Sequence, residues 1–248
     1  MFKEYGELST ALYEATKPVG YSINGDIEYY LKELKGISST ILEAGVSTGR
    51  MLIPLVHNGL KVDGVDISPE MLERCRLNME NHGVSADLYE QDLTNMSLLN
   101  KYDVIIMPTG SFCLLPKEKA VGVLTSFYEH LIYGGKIIID LELPANFRKG
   151  EVSSYSKPLS GDTGILFTSF SEDIDWLAQK VKYIHKYELL RSGEVQKTEV
   201  SHFTLYWYGI AEFTMLLRSV GFTDIRYEID YGIDEQSQLV TFKATKRW

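Results

Sequence analysis

The chain has 248 residues, 44% of them apolar, and a formal net charge of −9. That is enough material for one large α/β core, and the acidic balance argues against a protein that tracks nucleic-acid phosphates. No apolar run approaches the roughly 18 residues of a membrane span, and two cysteines, Cys75 and Cys113, make neither a disulfide framework nor a zinc site.

Residues 1–35 read as an interrupted helical cap. The opening MFKEYGELST lacks an apolar signal core, so the expected location is the cytoplasm. Tyr5, Leu8, Leu12 and Tyr13 have helical spacing, Pro18 and Gly20 break it, and Ile27 to Leu34 resume it. The segment is dense in aromatics. Tyr29 and Tyr30 read as anchors to the core, whereas Tyr13 and Tyr21 suit either an anchor or the wall of a ligand mouth.

The organising stretch is Thr40 to Met71. A short apolar run, Ile41-Leu42, ends in Glu43 and the small-residue loop Ala44-Gly45-Val46-Ser47-Thr48-Gly49. A helical pattern through Met51, Leu52, Leu55 and Val56 stops at Gly59, and a second strand, Lys61 to Asp66, ends in an acid. Strand, glycine turn, helix, strand and acid make a βαβ nucleotide-binding unit. Asp66 stands where a carboxylate accepts ribose hydroxyls. Glu43 would repel a pyrophosphate but suits a cationic ligand.

Further along, Ser68 and Pro69 cap a helix over about Glu70 to Asn81, which stops near His82-Gly83. A third strand spans about Ala86 to Gln91, followed by Asp92 and Leu93. Tyr102 to Met107 is apolar enough for a central fourth strand and leads into the loop Pro108 to Phe112. A helix is expected over Lys117 to Tyr133 and a fifth strand over Lys136 to Leu143. Pro144 to Gly164, rich in Ser, Gly, Pro and Lys, reads as an exposed connection. Three long strands follow, Ile165 to Asp173, Leu177 to Leu190 and Val195 to Tyr208. No crossover helix separates them, so they cannot extend a parallel sheet. Alternation puts Val181, Tyr183, His185, Tyr187 and Leu189 on one face. A helix over Gly209 to Val220 and strands over Thr223 to Ile229 and Leu239 to Thr245 close the chain.

The sequence E-A-G-V-S-T-G-R, Glu43 to Arg50, resembles motif I of the class I S-adenosylmethionine-dependent methyltransferases. V-D-G-V-D-I-S-P-E-M-L resembles their motif II, and E-Q-D-L, Glu90 to Leu93, their acidic motif after strand three. The resemblance also takes in L-x-x-G-G-K-x-x-x-D, ending at Asp140, and H-F-T-L-Y at His202 to Tyr206 with the helix after it. Ser47 departs from the usual middle glycine, and the turn there is expected not to need a left-handed conformation.

The resemblance implies a doubly wound, Rossmann-like seven-stranded sheet with a terminal antiparallel strand, and the run of long strands without crossover helices adds an antiparallel β insertion at 144–208 after strand five. The chain would be one methyltransferase domain over 1–248, the insertion serving as a lid and as a candidate surface for pairing protomers. The resemblance implies S-adenosylmethionine as cofactor and a small-molecule acceptor, with no metal; the acidic balance and the short apolar runs add the expectation of no nucleic-acid or membrane partner. Glu43, Gly45, Ser47 and Gly49 would hold the amino-acid end, Asp66 the ribose and Asp92 the adenine. Ile67, Met71 and Leu93 would sandwich the ring, with Met107 leading into the loop beneath the methionine moiety. His202 is the candidate base, ahead of His185, against a plain structural role on its strand. Tyr13, Tyr21, Phe112, Tyr155 and Trp207 are candidates for the acceptor walls. Two other classes stay open. An NAD-type oxidoreductase needs a tyrosine-x-x-x-lysine pair after strand four, and Ser111 to Lys119 has no tyrosine. A regulatory protein would keep the cofactor pocket without turnover.

Overall fold

A computed structural model describes residues 5–232 and 238–247. Its centre is a seven-stranded sheet of β1 (Thr40–Ala44), β2 (Lys61–Asp66), β3 (Leu88–Glu90), β4 (Tyr102–Met107), β5 (Leu131–Glu142), β10 (Phe222–Ile229) and β11 (Leu239–Lys246). Their order is β10-β11-β5-β4-β1-β2-β3. The β1 strand pairs in parallel with β2 and β4, while β11 runs antiparallel to both β5 and β10. The chain therefore reverses direction from β1, winding one way through β2 and β3 and the other way through β4 and β5. Ligands bind at such a switch point, off the carboxyl ends of the strands.

The central strands are apolar because both faces are covered. Ile41, Leu42, Val104, Ile105, Ile106, Ile137, Ile138 and Ile139 are fully buried. One face packs on α5 (Ala120–His130) and α6 (Ile210–Val220), the other on α2 (Asp26–Glu33), α3 (Leu52–His57) and α4 (Pro69–Asn81). Each such side chain contributes about 1.5–3 kcal/mol of burial. Ser68 caps α4 as its sequence suggests, accepting from the Met71 amide at 3.2 Å. At the other end His82 Nδ1 meets the Asn78 carbonyl at 2.8 Å. The α5 helix ends at His130 rather than Tyr133, because Leu131 turns extended and starts β5. Among the described residues no helix is long and apolar enough to cross a membrane.

The insertion forms its own antiparallel sheet, and it has four strands, not three: β6 (Val152–Ser160), β7 (Thr163–Asp175), β8 (Lys180–Arg191) and β9 (Glu194–Tyr206). The expected connection over Pro144 to Gly164 contains β6. Its polar composition, with Pro158 inside it, is that of an exposed edge strand, where a proline costs no ladder bond on the open side. The expected alternation holds on β8. Tyr187, with Ile165 of β7, is buried against Leu8 and Leu12 of α1 (Glu7–Thr16). The N-terminal cap thus lies between the inserted sheet and α4, where Glu14 meets Arg74 at 3.3 Å and the Asn78 amide at 3.1 Å.

Candidate active site

The carboxyl ends of β1, β2, β4 and β5 carry the candidate site. Gly45 takes φ +77°, and its amide donates to the Val65 carbonyl at 2.8 Å, which folds the loop back over β2. Ser47 is left-handed at φ +54°, contrary to the expectation that this turn needs no such residue. Serine tolerates that conformation here because two bonds offset its strain. Its amide donates to Asp66 Oδ2 at 2.9 Å, and its hydroxyl meets Met71 Sδ at 3.3 Å. Gly49 serves packing. A Cβ there would lie 2.8 Å from Cys75 Sγ on α4.

Asp66 also accepts from the Ser68 amide at 2.9 Å, so its carboxylate is fixed in place with lone pairs still free for hydroxyl donors. Burial raises its pKa, against the pull of those amides. Glu43 is only 3% exposed, and its Oε2 has no hydrogen-bond partner among the described residues. Burial pushes its carboxyl up to about 8, with Arg50 pulling it down and Asp26 and Asp66 pushing it further up. A buried acid with an open oxygen is poised for a cationic ligand. Ile67 is 63% exposed beside Asp66, an apolar surface at the mouth of the groove, whereas Met71, Leu93 and Met107 are buried. Asp92 is exposed and caps a short 3-10 turn, accepting from the Thr94 amide at 2.8 Å.

The N-terminal cap is pinned to this loop by Arg50. Its guanidinium donates to the Tyr21 carbonyl at 2.7 Å and pairs with buried Asp26 at 2.5 Å. The Tyr13 hydroxyl lies in reach of Ser47 and Arg50. Tyr13 therefore sits over the glycine loop. The Tyr21 side chain is half exposed, and it is the backbone of that residue that contacts the site.

Beside the loop opens a cavity of about 870 Å³. Lys17 and Asn24 of the cap, Thr109 after β4, Glu142 at the end of β5, Asp230-Tyr231 after β10, and Ser169, Tyr183, Leu205 and Trp207 of the insertion line it. The loop after β4 joins the two compartments. A Cβ on Gly45 would lie 3.6 Å from that of Ser111, and one on Gly110 would lie 3.1 Å from that of Glu142. Asp140 holds the loop there, accepting from the Thr109 amide at 2.8 Å, from Tyr231 at 2.8 Å and from Thr241 at 2.7 Å.

Several sequence candidates fall elsewhere. His202 is exposed and pairs in register with Ile184, on the outer face of the inserted sheet and away from the cavity. Phe112 is fully buried in the core against Tyr208 and Phe213. Tyr155 packs its ring at a tilt against Phe167, 5.3 Å between centroids, without lining the cavity, whereas Trp207 does line it. His185 is on the inner face, ringed by Phe167, Tyr183, Tyr187 and Phe203, and burial lowers its pKa to about 4. A neutral imidazole of that pKa is a poor proton acceptor near neutrality. The sequence reading missed Glu142 and Lys17. The available signal was an acid at the end of a strand on the sheet's ligand edge and a lysine at a helix break.

Fold and site together define a cofactor-binding α/β enzyme of the switch-point kind. Residues 41–135 match the family model described as "Methyltransferase domain", and the protein is an S-adenosylmethionine-dependent methyltransferase. It is 26% identical over 219 residues, 83% of this chain and 84% of the relative, to a protein of Geobacillus sp. (strain WCH70) provisionally named a methyltransferase. It superposes on an S-adenosylmethionine-dependent methyltransferase from Clostridium acetobutylicum with TM-score 0.78, 16% identity, and 96% and 97% of the two chains covered. A sugar N-methyltransferase from Streptoalloteichus sp. gives TM-score 0.79, 18% identity, and 100% and 96% coverage. At these identities the structural likenesses speak for the fold. The cofactor is S-adenosylmethionine, and the unpartnered Glu43 Oε2, the fixed Asp66 carboxylate and exposed Ile67 fit its ammonium, ribose and adenine groups.

Proposed function

We propose that the protein methylates a small-molecule acceptor by in-line displacement, with the acceptor seated in the 870 Å³ cavity. The observation that carries this reading is the placement of that cavity, a volume suited to a metabolite, one loop away from the glycine turn. The sugar N-methyltransferase of the same fold supports an acceptor of that size.

The cofactor brings its own activated methyl group, so the chain has to bind, align and exclude water. In this reading Glu43 and the loop amides hold the amino-acid end, Asp66 holds the ribose, and Ile67 and Leu93 bracket the adenine near Asp92. Tyr13 and Arg50 close the cap over them, and the inserted sheet roofs the acceptor. No histidine is asked to act as a base.

The test is transfer from methyl-labelled S-adenosylmethionine into a cell extract split by size. Label is expected in the fraction below about 1 kDa, the range of ligands that such a cavity can bury. Label in protein or nucleic acid instead would overturn the small-molecule reading. Binding of S-adenosylhomocysteine with no label anywhere favours the regulatory alternative.

A further inference from the structure

The charges around the acceptor cavity are unequal. Among the described residues Glu142, Glu151 and Asp230 line it, against one ammonium, Lys17. Asp230 is 9% exposed, and its Oδ1 has no hydrogen-bond partner among the described residues. A buried, unsatisfied carboxylate oxygen on a cavity wall is costly unless a donor arrives from the cavity. The walls between the acids are aromatic, with Tyr183 and Trp207 from the insertion, and ring faces also attract cations.

Glu142 is the best placed of these acids. It ends β5, and Gly110 of the loop after β4 leaves room for it, since a Cβ there would lie 3.3 Å from Glu142 Oε2. Its side chain reaches the open space of the cavity. No ion pair joins it to Lys17 among the described residues, and the Lys17 ammonium lies instead over the Tyr13 ring at 5.3 Å. The other titratable groups facing Glu142 are Glu151, Tyr183 and Cys113. Surrounding bulk raises the Glu142 carboxyl, and Lys17 draws it back down.

We infer that the acceptor is a cationic amine whose ammonium docks on Glu142, with Asp230 taking a further donor of the same molecule. This rests on the small-molecule reading above and adds the charge of the acceptor and the residues that read it. Lys17 opposes the same charge and keeps the site from holding amines too tightly, and a carboxylate-bearing acceptor is disfavoured by the remaining acids.

Three probes of one shape separate the terms: benzylammonium, benzyl alcohol and benzoate, titrated into the full protein with and without saturating S-adenosylhomocysteine. Trp207 supplies a fluorescence signal from the cavity wall. Benzylammonium is expected to bind at least about tenfold more tightly than the alcohol, the scale of one charge-assisted hydrogen bond. Glu142→Gln should erase that preference while leaving the alcohol's affinity unchanged, and Lys17→Met should strengthen benzylammonium binding. A preference for benzoate, an ammonium preference that survives Glu142→Gln, or unaltered binding in Lys17→Met overturns the inference. The amine series is read on the free protein as well. Failure to bind S-adenosylhomocysteine therefore counts against the methyl-transfer reading alone.

Discussion

Glu43 is the residue whose state depends most on what it binds. Burial holds its carboxyl at about 8 against the pull of Arg50, so near neutrality it is largely protonated. An ammonium beside it stabilises the carboxylate and lowers that value. The bound form then carries fewer protons than the free form, so binding releases protons and strengthens as pH rises, levelling off once Glu43 is already ionised. S-Adenosylhomocysteine titrated by calorimetry in buffers of different ionisation enthalpy is expected to release protons between about pH 6 and 8, and Glu43→Gln should suppress that release. A release unchanged in the variant would move the ammonium away from Glu43. Ser47 teaches a different point at this scale. The substitution of serine for the usual glycine suggested an ordinary turn, but the backbone keeps its left-handed shape because Asp66 and Met71 hold the serine there. A residue type reports what a turn permits, and tertiary bonds decide what it adopts.

At the level of elements, the contact that matters most is one between distant parts of the chain. Glu199 on β9 reaches the start of α1, accepting from the Leu8 amide at 3.0 Å and from Ser9 Oγ at 2.8 Å. Gly6 makes room for it, since a Cβ there would lie 2.7 Å from the carboxylate. An inserted strand thus caps the first helix, satisfying orphan amides and the helix dipole together. Glu199→Ala should cost about 1 kcal/mol of cap docking. The expected signature is faster amide exchange over residues 7–16 with the exchange of β4 unchanged. Equal protection of α1 in the variant would mean that Leu8 and Leu12 alone hold it. None of this was legible in the sequence, because a cap supplied from 190 residues away leaves no local pattern. The edge strand β6 escaped for the opposite reason, its local pattern being that of a loop. The strands β2 and β4 were readable to the residue, since burial on both faces and a terminal acid or loop bound them on either side.

Across the whole molecule, the sequence carries the cofactor half of the proposed site better than the acceptor half. Glu43, the glycine loop and Asp66 lie within one βαβ unit, so their spacing along the chain is also their spacing in the fold. The cavity proposed for the acceptor draws on the cap, the loop after β4, the end of β5, the insertion and the segment after β10, which only the folded topology brings together. That is why His202 drew attention while Glu142 and Lys17 did not. A histidine on an inserted strand is conspicuous in sequence, but the pleat of β9 turns it outward. The most direct measurement is a crystal structure of the protein with S-adenosylmethionine bound. The expected result is a methyl carbon at the inner wall of the cavity, beside Gly110-Ser111 and facing Glu142, with the ribose on Asp66. A methyl group turned away from the cavity, or a cofactor seated clear of Glu43 and Asp66, would contradict the proposed site.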